Sequence, residues 1–180
     1  MNIKTIFIAT LANLFSVSSF SQTIDDAKDF LKQQIESNPT SDKYTQFLVF
    51  ANELSNDNAS YFTKQKFDPS IYKQVCIQSE TLNFKGESVT TKINAFDVKG
   101  IKNIIVTTQD LYTQITIYLK DGFPNVFNEI SDVNKTTETN YLNKAIFYIK
   151  HNNSLGERVA KSLFFLSKQY GGTPTETSPF

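Results

Sequence analysis

Nucleophilic chemistry in this sequence would have to come from one thiol and one imidazole. The chain of 180 residues contains a single cysteine, Cys76, and a single histidine, His151. Such a pair can act as nucleophile and base only when the two side chains lie within hydrogen-bond reach. Because Cys76 stands between Val75 and Ile77, we expect its thiol to be buried in the core. An intermolecular disulfide and a catalytic nucleophile are the two alternatives for this residue.

The sequence lacks the motifs that hold common metals and cofactors. One cysteine and one histidine cannot form a zinc cluster, and residues 56–58 lack the spacing of a calcium loop. No Gly-rich phosphate loop, Gly-x-Ser-x-Gly elbow or Rossmann fingerprint occurs. We therefore predict no cofactor, no metal and no catalytic residue, and we favour a protein without enzymatic activity. A hydrolase whose carboxylates meet only in the fold is the least favoured alternative.

The charge balance argues against a polyanionic partner. The 18 lysines and arginines are matched by 18 acidic residues, and the basic residues form no block. Arg158 is the only arginine, which disfavours a forked clamp for phosphate or carboxylate. We therefore predict that the chain does not bind nucleic acid, and that its partner is an unknown protein or small molecule.

Residues 1–21 have the pattern of a secretory signal peptide. Lys4 supplies the positive start, residues 5–17 are largely apolar, and Ser19-Phe20-Ser21 forms a small-x-small cleavage site. The apolar run is shorter than the roughly 20 residues that span a bilayer. We expect cleavage after Ser21, export to the periplasm or the medium, and no stable membrane insertion afterwards. An uncleaved N-terminal anchor is the alternative.

The remaining chain predicts one domain, residues 22–172, that begins and ends with an amphipathic helix. In the first helix Thr23 is the expected N-cap and Asp26 its capping-box partner, so the adjacent acids there need no catalytic explanation. For the last helix we predict an N-cap at Ser154, with Glu157 as its partner, and an end at Gly171 and Gly172. Its apolar stripe consists of Leu155, Val159, Leu163, Leu166 and Tyr170. Residues 173–180 are expected to be a disordered tail.

Between these helices the pattern predicts mainly antiparallel strands. Residues 44–54 fit either a strand or a helix, and we favour a strand. The further predicted strands are residues 61–67, 72–84, 89–96, 101–108, 112–120 and 141–150. Residues 124–138 read as an irregular, polar connection.

This arrangement resembles a pleckstrin-homology-like (PH-like) β-roll closed by a C-terminal helix. The resemblance covers residues 75–170 and includes Thr81-Leu82-Asn83-Phe84, the segment from Ile93 to Ile101, and the start of the last helix from Glu157 to Leu163. Many small, uncharacterised, exported bacterial proteins are similar. The resemblance implies an α+β fold, an antiparallel roll or barrel of about six or seven strands, and it brings no catalytic residues with it.

Three functional hypotheses remain from the sequence. The leading one is an exported, non-enzymatic binding or interaction module. The second is a carrier of a small ligand or lipid, which would need an internal apolar pocket. The third is the hydrolase named above.

Residues 112–120 carry the main candidate binding surface. The apolar face of this strand consists of Ile115, Ile117 and Leu119. Its opposite face would then carry Tyr112, Gln114, Thr116 and Tyr118. Phe164 lies off the main stripe of the last helix and is a further candidate, so the predicted partner-binding residues are Tyr112, Gln114, Tyr118 and Phe164. The alternative is that another layer, such as the first helix, covers them.

Overall fold

The computed structural model describes residues 23–50, 74–82, 89–131 and 137–175. The helices in this part of the chain are α1 (Ile24–Ser37) and α2 (Asn153–Gln169), and a short 3-10 helix spans Val98–Gly100. The strands are β1 (Tyr44–Phe50), β2 (Gln74–Leu82), β3 (Val89–Asp97), β4 (Ile101–Thr108), β5 (Tyr112–Leu119), β6 (Asn125–Ser131), β7 (Thr137–Leu142) and β8 (Lys144–Lys150). The predicted signal peptide and the strand predicted at residues 61–67 lie outside the described residues.

The strands form two antiparallel sheets, so the α+β prediction is confirmed. The larger sheet has five strands in the order β1-β2-β3-β6-β7, and the smaller has three in the order β4-β5-β8. Within the described residues each sheet is open, because no ladder joins its two edge strands. The sequence of residues 44–54 fits either a strand or a helix. Residues 44–50, the part of this range that the structure describes, form strand β1.

One core joins the helices to both sheets. Leu31 of α1, Phe50 of β1, Ile117 of β5, Phe147 of β8 and Leu163 of α2 belong to the same cluster of buried side chains. The stripe predicted for α2 is confirmed, because Val159, Leu163 and Leu166 are fully buried. One face of the smaller sheet is therefore directed at α1 and α2, and its other face points away from these two helices.

Helix α1 starts where the sequence predicts. The Thr23 hydroxyl accepts from the backbone N–H of Asp26 at 3.0 Å, and the Asp26 carboxylate accepts from the backbone N–H of Thr23 at 3.0 Å. This reciprocal capping box confirms the structural explanation of the acidic pair. These hydrogen bonds to the charged form also hold the pKa of Asp26 below its ordinary value.

Helix α2 starts two residues earlier than predicted. Its N-cap is Asn152, whose Oδ1 accepts from the backbone N–H of Leu155 at 2.9 Å, so the prediction of Ser154 as N-cap is wrong. A tertiary contact fixes this start, because the backbone N–H of Asn152 also donates to Thr113 Oγ1 at 3.0 Å. At the other end Gly171 takes the predicted left-handed conformation, with φ of 79°, whereas Gly172 does not.

Three further predictions differ from the structure. Residues 124–138 are not an irregular connection, because they include β6 and the start of β7, which pair with each other. The single strand predicted at 141–150 is the end of β7 followed, after Asn143, by β8. The described residues thus contain eight strands rather than six or seven.

The beginning of the C-terminal tail is fixed to the smaller sheet. The backbone N–H of Thr175 donates to the Lys102 carbonyl at 2.7 Å, and Lys120 Nζ donates to Thr173 Oγ1 at 2.8 Å. The predicted disorder is therefore wrong for residues 173–175. These contacts also cover part of the outer edge of β4, which would otherwise present unpaired backbone groups.

Candidate binding site

Strand β5 presents the two faces that the sequence predicts. Thr113, Ile115, Ile117 and Leu119 are buried in the direction of the helices. On the opposite face Tyr112, Gln114 and Tyr118 are half-buried, while Thr116, in the middle of the face, is only 6% exposed. Three of the four predicted partner-binding residues therefore share one face of the smaller sheet.

Phe164 does not belong to this surface. Its side chain is 5% exposed and is part of the hydrophobic core, so the prediction that it is available to a partner is wrong. The buried face of α2 is wider than the predicted stripe, because Ala160, Phe164 and Ser167 are buried beside it. Helix α1 also packs along α2, where the Arg158 guanidinium lies 4.8 Å from the centre of the Phe30 ring.

Neighbouring strands extend the surface on both sides of β5. Ile105 of β4 and Ile146 of β8 stand opposite Thr116, and Tyr148 stands opposite Gln114. Directly opposed residues project from the same face of a sheet. We call this surface the tyrosine face, defined as Ile105, Tyr112, Gln114, Thr116, Tyr118, Ile146 and Tyr148.

Two aromatic rings are fixed against each other on the tyrosine face. The rings of Tyr112 and Tyr148 meet edge to face, with centroids 5.1 Å apart and an angle of 83° between the planes. Burial, and secondarily the nearby Tyr112 phenol, raise the pKa of Tyr148 above its ordinary value. Tyr148 therefore remains a neutral hydrogen-bond donor at physiological pH. Beside it, Gln114 Nε2 donates to Thr116 Oγ1 at 2.9 Å, which restrains the amide.

Three side-chain amides connect the free edge of β8 to the larger sheet, and together we call them the amide bridge: Gln46, Asn94 and Asn125. Asn125 Nδ2 on β6 donates to the Lys144 carbonyl at 3.1 Å, and Asn94 Nδ2 on β3 donates to the Ile146 carbonyl at 3.3 Å. Gln46 Nε2 on β1 donates to the Tyr148 carbonyl at 2.6 Å.

The amide bridge sets the relative direction of the two sheets. Alternate carbonyls of β8 meet β6, β3 and β1 in turn, which is the spatial order of those strands in the larger sheet. Strand β8 therefore runs across the strands of the larger sheet rather than alongside them. The bridge satisfies β8 carbonyls that no neighbouring strand pairs with, as buried backbone acceptors require.

A pocket of about 220 Å³ lies where β8 crosses the larger sheet. We call it the inter-sheet pocket, and it is lined by Lys92, Asn94, Phe127, Leu142, Lys144, Ile146 and Tyr148. Ile146 and Tyr148 also belong to the tyrosine face, so the pocket and the face adjoin. Asn94 is hydrogen-bonded to Asn125, which is fully buried and whose Oδ1 accepts no hydrogen bond from the described residues.

The residues that could have formed a nucleophilic pair lie on different sheets. His151 follows β8, is exposed, and its Nδ1 lies 2.6 Å from the Gln109 carbonyl in the β4–β5 turn. Cys76 is in β2 of the larger sheet, where its backbone pairs with Val49 and Ala95. The side chain of Cys76 lies outside the described part of the structure, so its predicted burial stays a prediction.

Sequence reasoning missed both the inter-sheet pocket and the amide bridge. Asn94 is 5% exposed within an apolar strand, and Gln46 is 2% exposed within β1. A carboxamide at an inward position of a strand was the available signal, since a buried amide requires a hydrogen-bond partner. The partners themselves are more than 50 residues away along the chain.

The described residues contain no group of three or more His, Cys, Asp or Glu side chains arranged to hold a metal ion. Neither of the helices in the described ranges is long and apolar enough to cross a membrane.

Comparison with known proteins found no family model, no curated protein and no solved structure that matches this chain.

Proposed function

We propose that this protein is an exported, non-enzymatic binding module that holds a protein partner on the tyrosine face. The observation that supports this function most directly is the grouping of Tyr112, Gln114, Tyr118 and Tyr148 on the sheet face that points away from α1 and α2, the helices of the described residues. Tyrosine combines a large apolar ring with a polar hydroxyl and few rotatable bonds, and it is enriched at the energetic centres of protein interfaces.

The geometry of the face favours binding over a merely solvated surface. The side chains of Tyr112 and Tyr148 restrain each other, and Gln114 is restrained by Thr116. A partner that docks here would therefore immobilise side chains that are already partly ordered, which lowers the entropic cost of association. Ile105, 44% exposed, supplies an apolar flank to the same face.

The alternative of a carrier with an internal cavity has less support. Such a carrier needs an apolar cavity between the sheets and the helices. Large side chains occupy this region instead, since Phe50, Ile117, Phe147 and Leu163 are almost completely buried in one continuous cluster.

A PH-like roll is part of the same proposal. The antiparallel strands, the C-terminal helix packed on the smaller sheet, and the crossing of β8 over the larger sheet support it. Among the described residues both sheets are open, and there are eight strands. In this roll, hydrogen bonds from side-chain amides would then join the two sheets where a closed roll has backbone hydrogen bonds between strands.

Affinity capture with matched variants tests the binding function. The mature protein would be immobilised and exposed to envelope and medium fractions of its own host, in parallel with Tyr118→Ala and Leu111→Ala. Leu111 is the matched control because it is 78% exposed but lies in the β4–β5 turn, off the tyrosine face. We expect a protein that the wild type and Leu111→Ala retain equally and that Tyr118→Ala binds more weakly by about 1–3 kcal/mol.

Thermal denaturation separates binding from folding in this test. Tyr118→Ala should change the free energy of unfolding by no more than about 1 kcal/mol, because Tyr118 is only half-buried. Unfolding of this variant would assign Tyr118 to the core and remove the tyrosine face as the binding site. Equal capture by all three proteins would also reject the proposal.

A further inference from the structure

We propose that the inter-sheet pocket binds a small amphipathic carboxylate, that is, a molecule with one anionic group and a short apolar body. This site goes beyond the partner-binding function proposed for the tyrosine face. It is formed by β3, β6, β7 and β8, of which only β8 also contributes to the tyrosine face, and its occupant enters a concave space rather than covering a sheet face.

The lining residues divide the pocket into an apolar part and a cationic part. Phe127 of β6, Leu142 of β7 and Ile146 of β8 supply aromatic and aliphatic surface. Among the described lining residues the charged groups are Lys92 of β3 and Lys144 of β8, and both are positive. A ligand that satisfies both parts must carry a negative group at one end and hydrocarbon at the other.

Lys144 is the cation on which the proposal depends. Lys92 already interacts with another group of the protein. Lys144 instead stands opposite Tyr118 and is exposed, while its backbone carbonyl is held by Asn125. The backbone of Lys144 is thus fixed at the pocket while its ammonium group can reach an incoming anion.

The polar wall of the pocket is rigid before a ligand enters. The Asn94 amide uses both ends, since its Nδ2 donates to the Ile146 carbonyl and its Oδ1 accepts from Asn125 Nδ2 at 2.9 Å. Tyr148 adds a hydroxyl group that can donate to a carboxylate. A wall that does not have to reorganise lowers the cost of binding a small molecule.

The size of the pocket limits the ligand. The pocket measures about 220 Å³. Pockets for drug-sized ligands begin at about 300 Å³. The part of the ligand that the pocket holds is therefore short, as in a medium-chain fatty acid.

Titration of the mature protein with hexanoate, hexan-1-ol and hexylammonium tests the charge requirement. These probes share an apolar body and differ in the charge of the head group. We expect hexanoate to bind and to shift the backbone amide resonances of Asn94, Phe127 and Ile146, with weaker binding of the alcohol and the weakest binding of the ammonium. Equal binding of the three probes, or no binding of hexanoate at millimolar concentrations, would overturn the proposal.

Two variants and one control locate the site. Lys144→Met keeps most of the length of the side chain but removes its charge, and it should weaken hexanoate binding about threefold to tenfold. Leu142→Trp should fill the pocket and abolish binding without a change of charge. Lys102→Met removes another exposed lysine, on β4 and outside the pocket, and should bind hexanoate as the wild type does.

Hexanoate binding by these variants can contradict the proposal. If Lys144→Met binds hexanoate as tightly as Lys102→Met does, then Lys144 does not hold the anion and the proposal fails. If Leu142→Trp does not fold, two measurements still test the proposal. These are the comparison of hexanoate binding by Lys144→Met and Lys102→Met, and the backbone amide resonance shifts of the wild type. Partner capture through Tyr118 is a separate measurement, so failure of one proposal leaves the other standing.

Discussion

The side-chain amide of Asn125 donates to the Oδ1 of Asn94 at 2.9 Å, and both residues are almost completely buried. Each residue also donates to a carbonyl of β8, so the pair joins two strands of the larger sheet to the free edge of the smaller one. The junction between the sheets is therefore a polar network, in which each member depends on its neighbour. Such a network stabilises one arrangement when satisfied and is costly when a member is lost.

Asn94→Ala should destabilise the protein by about 1–3 kcal/mol. The change leaves the Ile146 carbonyl without its donor and removes one of the acceptors of Asn125 Nδ2. Chemical denaturation measures the loss. Asn140→Ala is the control, because Asn140 is exposed on β7, and it should stay within about 0.5 kcal/mol of the wild type. Equal stability of the two variants would show that the amide bridge does not contribute to folding.

Leu163→Ala should cost about 2–5 kcal/mol, because Leu163 is fully buried and a cavity would form between α2 and the rest of the core. Thermal or urea unfolding would detect this easily in a domain of marginal stability. Leu111→Ala removes the same atoms from a side chain that is 78% exposed and should have little effect. An unchanged melting temperature for Leu163→Ala would contradict the packing of α2.

Gly156→Ala tests the contact between α2 and the smaller sheet. A Cβ at this position would lie 2.7 Å from Thr113 Cγ2 and 2.7 Å from Val106 Cγ1. Alanine improves helix propensity by up to about 1 kcal/mol, but overpacking costs about 1–3 kcal/mol. We therefore expect a net loss of stability. Ser154→Ala, at an exposed position of the same turn, gives the propensity effect alone, and a Gly156→Ala variant as stable as this control would show that the contact can relax.

The parts of the fold that follow hydrophobic spacing could be predicted from the sequence. The alternation through Ile115, Ile117 and Leu119 predicted both faces of β5, and three- and four-residue spacing predicted the buried stripe of α2. Strands β6 and β7 could not be predicted in this way. Their sequences contain few apolar residues, and backbone pairing with β3 and with each other places them in the larger sheet.

The candidate site was predictable only where it depends on a single strand. Tyr112, Gln114 and Tyr118 follow from the period of two within β5. Tyr148, Asn94 and the inter-sheet pocket depend on how β8 crosses a distant sheet, which local patterns do not specify. Phe164 was misplaced because the buried face of α2 is wider than the stripe that the apolar spacing predicts.

Export is a prediction from the first 21 residues alone. If the signal peptide is removed after Ser21, the protein isolated from its own host should begin at Gln22, either free or cyclised. N-terminal sequencing or intact-mass analysis of the native protein checks this. Recovery of a chain that retains Met1 would remove the proposed location outside the cytoplasm, while the fold and the sites would be unaffected.

Alkaline pH should weaken the fold through Tyr148. Because burial and the nearby Tyr112 raise the pKa of Tyr148, its charged form is less favourable in the folded protein than in the unfolded chain. The contribution of this group to stability is therefore fully present below the unfolded pKa of about 10, and it is lost as the pH rises from there through the folded pKa.

Tyr148→Phe isolates this effect from the titration of other groups. Lysines and the remaining tyrosines ionise in the same range, so the test compares the decrease in unfolding free energy between about pH 9 and pH 11 in wild type and variant. The decrease should be smaller in Tyr148→Phe. In Tyr141→Phe, which removes a phenol that is 54% exposed, the decrease should match the wild type. Identical decreases in all three proteins would show that the Tyr148 hydroxyl is as well solvated in the folded protein as in the unfolded chain, contrary to its position beside Tyr112.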